Sequence, residues 1–170
     1  MTTESIAPET LHAWAICMQA AEEARRRGDR RYGTDHLLLA LLEDPSIEGV
    51  LGVSLPEARQ ALDSLDHDAL GALGLGSGAD APPLPMRAVP KKPRLRDVAQ
   101  RDRLRITPAA KKVLEEASKS NRRKLQITGQ QVLARILTLQ PPDPAAVLLG
   151  ALGVDTSEVR RRLDAATPED

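Results

Sequence analysis

The sequence predicts an all-α protein: two tandem four-helix repeats in a pseudo-twofold relation, joined by a basic, Pro-rich linker. The first observation is composition. Of 170 residues 41% are apolar, yet there is no Phe, one Trp and one Tyr. The core must therefore be Leu, Ala, Val and Ile, in a chain whose Ala- and Leu-rich runs favour helix over strand. The second is a duplicated order of residues. Thr10, Ala13, Ala24, Gly28 and Gly33-Thr34-Asp35-His36, running into Leu37–Leu42 and closing with Leu51-Gly52-Val53, form one set. Thr107, Ala110, Ala117 and Thr128-Gly129-Gln130-Gln131, running into Val132-Leu133 and closing with Leu152-Gly153-Val154, form the other. A unit used twice buries its apolar faces against its copy. The third is helix punctuation at matching places in both sets.

In the first repeat, residues 1–7 are polar and loose, and Pro8 and Glu9 suit a helix first turn. Helix one runs to about Arg27, with Leu11, Trp14, Ala15, Met18, Ala21 and Ala24 drawing one apolar stripe. Gly28 stops it, after three arginines that suit the negative helix end. Thr34 is read as the N-cap of helix two, with Asp35 in its first turn. Leu37 to Leu42 is apolar all round, so this helix is the buried one. Asp44-Pro45 ends it, and at most two turns of helix follow before Gly52. Ser54, Pro56 and Glu57 form a capping-box start for helix four, which carries Ala58, Ala61, Leu62 and Leu65. Residues 66–80 read either as further packing or as a frayed, Gly-rich end.

Boundaries fall at 1–76 for the first repeat, 77–104 for the linker and 105–166 for the second repeat. The linker holds five prolines, and eight Lys or Arg lie between Arg87 and Arg105. It is long for a connection inside a compact domain and is expected to be partly disordered. Thr107-Pro108 starts helix five, with Ala110, Val113, Leu114 and Ala117. Thr128 caps helix six, which carries Val132, Leu133, Ile136 and Leu137. Helix seven runs from about Asp143 to Leu152 with Gly153 as its cap, and Asp155 or Thr156 opens helix eight.

These residues carry a family resemblance. The order Thr10, Ala13, Ala24, Gly28, Gly33-Thr34-Asp35-His36-Leu37-Leu38-Leu39, and again Thr107-Pro108-Ala109-Ala110-Lys111-Lys112-Val113-Leu114-Glu115, resembles the N-terminal domain of Clp-type AAA+ unfoldases, ClpC-like, over nearly the whole chain. There each repeat has Thr-Pro-x-Ala, then Gly-Thr-Glu-His-Ile-Leu-Leu-Gly-Leu, then Leu-Gly-x. The resemblance implies a non-catalytic module that binds Clp unfoldase and protease components or their substrates and adaptors. Cyclic peptide antibiotics are ligands of actinobacterial members, and sequestering them is one implied role. In some members an acid in each repeat reads phosphoarginine, a bidentate carboxylate–guanidinium pairing. Here Asp35, beside Thr34, retains that acid, whereas Gln130 carries no charge, so one such site is expected. The ligand groove is expected between the repeats, with Met1 to Trp14 and the end of repeat one as candidates, though the family uses aromatics there and this chain has no Phe. Repeat one is about six residues shorter before Leu51, which implies a stunted third helix.

No Gly-rich phosphate loop ending in Gly-Lys-Ser/Thr occurs, so this piece does not hydrolyse ATP. It is a stand-alone protein of this type or a domain of something longer. Asp35 has two open roles: helix N-terminal electrostatics, worth about 0.3–1 kcal/mol, with ligand contact in addition. His36 reads as a packing and hydrogen-bonding residue. Trp14 reads as core or inter-repeat packing, or as a lone aromatic lining a peptide groove. The lone Cys17 reads as a small buried hydrophobe, and the arginine triplets 25–27 and 160–162 as ordinary surface. No nucleophile constellation, acid–base pair or metal spacing stands out, so no catalytic residue, metal or cofactor is expected. Zero net charge gives no global reason for nucleic acid or membrane partners. A nucleic-acid regulator acting through the basic linker is the alternative reading, weakened by the absence of interleaved aromatics. With neither a signal peptide nor a stretch of roughly 20 apolar residues, the protein is expected in the cytoplasm.

Overall fold

The computed structural model describes residues 13–74, 105–119 and 127–166. Expectations for Met1 and the rest of residues 1–12, and for the 77–104 linker, lie outside the described residues. Within them the order is α1 (Ala13–Arg27), β1 (Arg31–Tyr32), α2 (Thr34–Leu41), α3 (Pro45–Leu51), α4 (Leu55–Ala72), β2 (Arg105–Ile106), α5 (Pro108–Lys119), α6 (Gly129–Ile136), α7 (Pro144–Ala151) and α8 (Thr156–Ala166). The all-α, two-repeat architecture is as the sequence predicts.

Punctuation explains most of the boundaries. Gly28 ends α1 at φ +80°, a left-handed conformation that glycine adopts without a Cβ penalty. Asp44 accepts from Ser46 N at 2.9 Å and Asp143 from Ala145 N at 3.0 Å, so α3 and α7 begin alike, each with Pro at its first position. Ser54 and Glu57 close the expected capping box on α4, and Thr128 and Gln131 close one on α6. Thr107 Oγ1 accepts from Ala110 N at 3.3 Å at the start of α5. For the stunted third helix, the shortening lies mostly in the connection before it: α2 ends at Leu41 and α3 starts at Pro45, whereas α6 ends at Ile136 and α7 starts at Pro144.

Helix α2 is the hub. Its residues from Thr34 to Leu41, Asp35 excepted, are buried, and it packs against α1, α4, α5, α6 and α7. The two equivalent buried helices, α2 and α6, meet directly, while α3 packs on α8 and α4 on α7. The core is one cluster of Leu, Ile, Val and Ala spanning both repeats, with Tyr32 at its margin. A two-residue parallel pairing, Arg31 with Arg105 and Tyr32 with Ile106, continues in Thr107 N donating to Tyr32 O at 3.0 Å. Periodicity gives no sign of strands this short.

Three expectations are corrected. The buried stripe of α1 is Ile16, Ala20, Ala21 and Ala24, and Trp14 and Met18 stand 74% and 45% exposed, so Trp14 is not core. The alanines let α1 lie close against α2, which turns the large residues outward. Arg27 is not ordinary surface: with its side chain 13% exposed it binds Asp29, Asp63 and Asp66, tying the end of α1 to α4. Cys17 is only partly buried, close to the Tyr32 phenol.

Candidate functional site

A cavity of about 580 Å³ opens on the seam between the repeats. Its floor is the Gly33–His36 corner. Leu62 and Leu65 of α4, Pro142, Pro144 and Val147 of the second repeat, and Thr107 and Ala109 supply its apolar walls. Arg27, Asp29, Arg31 and Asp66 stand around it.

The corner is built from the turn at Gly28 upward. Asp29 N donates to Ala24 O at 2.8 Å, which fixes Asp29 just below the start of α2. His36 is 3% exposed. Its Nε2 lies 3.0 Å from Asp29 Oδ2 and its Nδ1 3.2 Å from Gly33 N and 3.0 Å from Asp35 Oδ1. This matches the expected packing and hydrogen-bonding role. The N-cap of α2 is Gly33, not Thr34. Gly33 takes the extended conformation of a cap, its N–H faces His36, and the Thr34 hydroxyl turns away to donate to Asp143 Oδ1 at 2.7 Å.

Asp35 is partly buried in the cavity floor. Burial pushes its carboxyl up, but the His36 imidazole and the backbone amides of His36 and Asp35 itself outweigh that and hold it below the ordinary range. It is therefore a carboxylate at neutral pH. Arg31 is exposed on the rim and makes no ion pair among the described residues. An acidic floor between apolar walls suits a side chain with an aliphatic stem and a cationic head.

Of the sequence-predicted residues, Thr34 and Asp35 come together here. Trp14 does not line the cavity, and Met1 lies outside the described residues. Arg27 and Asp66, which frame the site, carry no local sequence signal for their pairing, because they lie 39 positions apart on α1 and α4; Asp29 meets its partners Arg27 and His36 within its own stretch of chain. Among the described residues no group of His, Cys, Asp and Glu could hold a metal ion, and no helix is long and apolar enough to cross a membrane.

The architecture defines a duplicated helical domain, and comparison with known proteins places it. The family model of the Clp repeat (R) N-terminal domain matches residues 9–138, and the chain belongs to that family. The N-terminal domain of the caseinolytic protease associated chaperone ClpD from Arabidopsis thaliana has the same fold: TM-score 0.59, 18% identity, covering 96% of this chain and 97% of that one. No curated protein matches. Clp N-terminal domains are non-catalytic modules of Clp chaperones that bind substrates and adaptors.

Proposed function

We propose that this chain is a binding module of the Clp protease system that takes peptide segments in the inter-repeat cavity, with Asp35 as acceptor for a guanidinium group. The observation behind this reading is the cavity itself. Its floor carries a carboxylate kept ionised by its surroundings, and its walls are apolar. The ligand classes are those the family resemblance brings: phosphoarginine on substrates, with Arg31 on the rim to meet the phosphoryl group, and Clp-targeting cyclic peptides, which a chain of this kind would sequester. ClpC-like specificity, action without catalysis and a cytoplasmic setting belong to the same reading.

Calorimetry tests it with three ligands: phosphoarginine, a Clp-targeting cyclic peptide and a Clp unfoldase, wild type beside Asp35→Asn. Phosphoarginine binding that Asp35→Asn abolishes supports a substrate reader with one site. Cyclic-peptide binding indifferent to Asp35 keeps the groove but removes the acid from its function. No heat with any of the three overturns the reading.

A further inference from the structure

Three groups converge on the His36 ring, and no single protonation state satisfies all of them. Nδ1 faces both the Gly33 N–H at 3.2 Å and Asp35 Oδ1 at 3.0 Å. The amide needs a lone pair on Nδ1; the carboxylate needs a proton there. Nε2, 3.0 Å from Asp29 Oδ2, donates in either state, so Asp29 fixes Nε2 as the donor and leaves Nδ1 as the atom that changes.

We propose that His36 is the positioning residue for Asp35, its Nδ1 proton deciding whether the carboxylate is held against the ring or offered to the cavity. With Nδ1 bare, the ring accepts from Gly33 and the Asp35 carboxylate turns to whatever cation enters. With Nδ1 protonated, the ring claims the carboxylate and adds a positive charge beside the ligand's own. The inference rests on Asp35 being the ligand's acceptor.

Two details support it. An ideal Cβ on Gly33 would stand 2.5 Å from Asp35 Oδ1, while the Gly33 backbone, at φ −109°, suits any residue. Glycine at this place thus makes room for the inward carboxylate rather than for a special turn. The second repeat supplies a built-in control. There Gln131 stands where His36 stands in the first, and its Oε1 accepts from Thr128 N at 3.1 Å. It keeps the capping bond and carries no titrating proton, and the acid beside it is replaced by Gln130. The other charged groups at the cavity are Arg27 on α1, paired with Asp63 and Asp66 of α4, and Arg31 on β1, with Asp143 at the start of α7 engaged by Thr34.

NMR on the whole ligand-free chain over a pH series tests this. The Gly33 amide and the Asp35 carboxylate carbon are expected to move in one step with the His36 ring. His36→Gln, which copies the second repeat, is expected to fold and lose that step, and Gly33→Ala to uncouple the Asp35 carbon from the ring. Acetyl-arginine amide is the binding probe: its affinity should fall as pH falls, approaching about one proton released per probe bound, and become flat with pH in His36→Gln. A ring that titrates while Gly33 and Asp35 stay still, or a pH step that survives His36→Gln, overturns the proposal. If the probe binds at no pH, the ligand reading of Asp35 fails, and the ligand-free shifts still decide the role of His36.

Discussion

Thr34 and Asp143 hold the two repeats together across their seam: Thr34 Oγ1 donates to Asp143 Oδ1 at 2.7 Å, and the same oxygen caps α7 through Ala145 N at 3.0 Å. One carboxylate oxygen thus serves both a local cap and a contact between repeats. Thr34 is almost wholly buried, so its hydroxyl has no solvent to turn to. Thr34→Val keeps the shape and removes the bond. It should cost about 1.5–3 kcal/mol, the range for a hydrogen bond to a charged group, and Thr34→Ser should recover most of it. Urea denaturation reads this as a shift in midpoint at unchanged m value. An unshifted midpoint for Thr34→Val would mean the bond is dispensable.

The pseudo-equivalent of Thr34 in the second repeat is Gly129, which packs where a side chain would not fit. A Cβ there would lie 2.8 Å from Ile47 Cδ1 and 3.3 Å from Leu41 Cδ2, both in the core. Gly129→Ala should destabilise by about 1–2 kcal/mol despite the better helix propensity of alanine. Ile47→Val deletes the atom in the way, so the double variant should be more stable than the two separate losses would give. Additive losses in the double-mutant cycle would show that the close approach does not matter.

Much of the fold is visible in the sequence because its helix ends are marked by chemistry that acts locally. Gly28, Asp44-Pro45, Ser54 with Glu57, and Thr128 with Gln131 each satisfy backbone groups within a few residues, so the structure follows them closely. The phase of α1 is not visible in this way. A stripe drawn through Trp14 and Met18 weighs side-chain size, whereas the packed face is set by Ala20 and Ala24, whose smallness permits the approach of α2. Thr34 resembles an N-cap by residue type, but a partner more than a hundred positions along the chain takes its hydroxyl. At the site, Asp35 is visible through the family resemblance. The tie of Arg27 to Asp63 and Asp66 and the short β1–β2 pairing arise only from tertiary contact, which no local pattern encodes.

Acid should destabilise the chain through two carboxyls in particular. Burial alone would raise Glu23, but hydrogen bonds and charge from Arg59 and Arg26 bring it below its ordinary value, and Asp35 is likewise held down. The unfolded chain therefore binds these protons first. The stability the two contribute is complete at neutral pH and drains as pH falls below the ordinary carboxylate range and through each depressed value. Urea midpoints between pH 7 and pH 3 should fall less steeply in Asp35→Asn than in wild type; parallel curves would contradict the shift at Asp35. Arg59→Ala leaves the buried Glu23 with Arg26 alone, and should cost less than the roughly 3–5 kcal/mol of a fully broken buried pair.

Tyr32 gives an alkaline counterpart. Burial first, then the charge and hydrogen bond of Cys17, push its phenol up to about 12. Because the unfolded phenol releases its proton earlier, the stability linked to Tyr32 is whole below its ordinary value and is lost as pH rises through the folded one. As the only tyrosine in the chain, it can be followed by absorbance without ambiguity. Cys17→Ala removes the neighbouring charge and should bring the phenol down, while leaving part of the elevation due to burial. A phenol that titrates near the ordinary tyrosine value of about 10 in the folded wild type would contradict the packing of β1.

Backbone chemical-shift mapping of the labelled chain with a phosphoarginine-bearing peptide at neutral pH decides where ligands bind. With the seam cavity as the site, the largest shifts fall on Gly33 to His36, on Leu62 and Leu65, and on Val147 across the seam, and Asp35→Asn erases them together. Shifts gathered instead on the exposed Trp14–Met18 face, with the Gly33–His36 corner unmoved, would place binding outside the cavity and remove Asp35 from it.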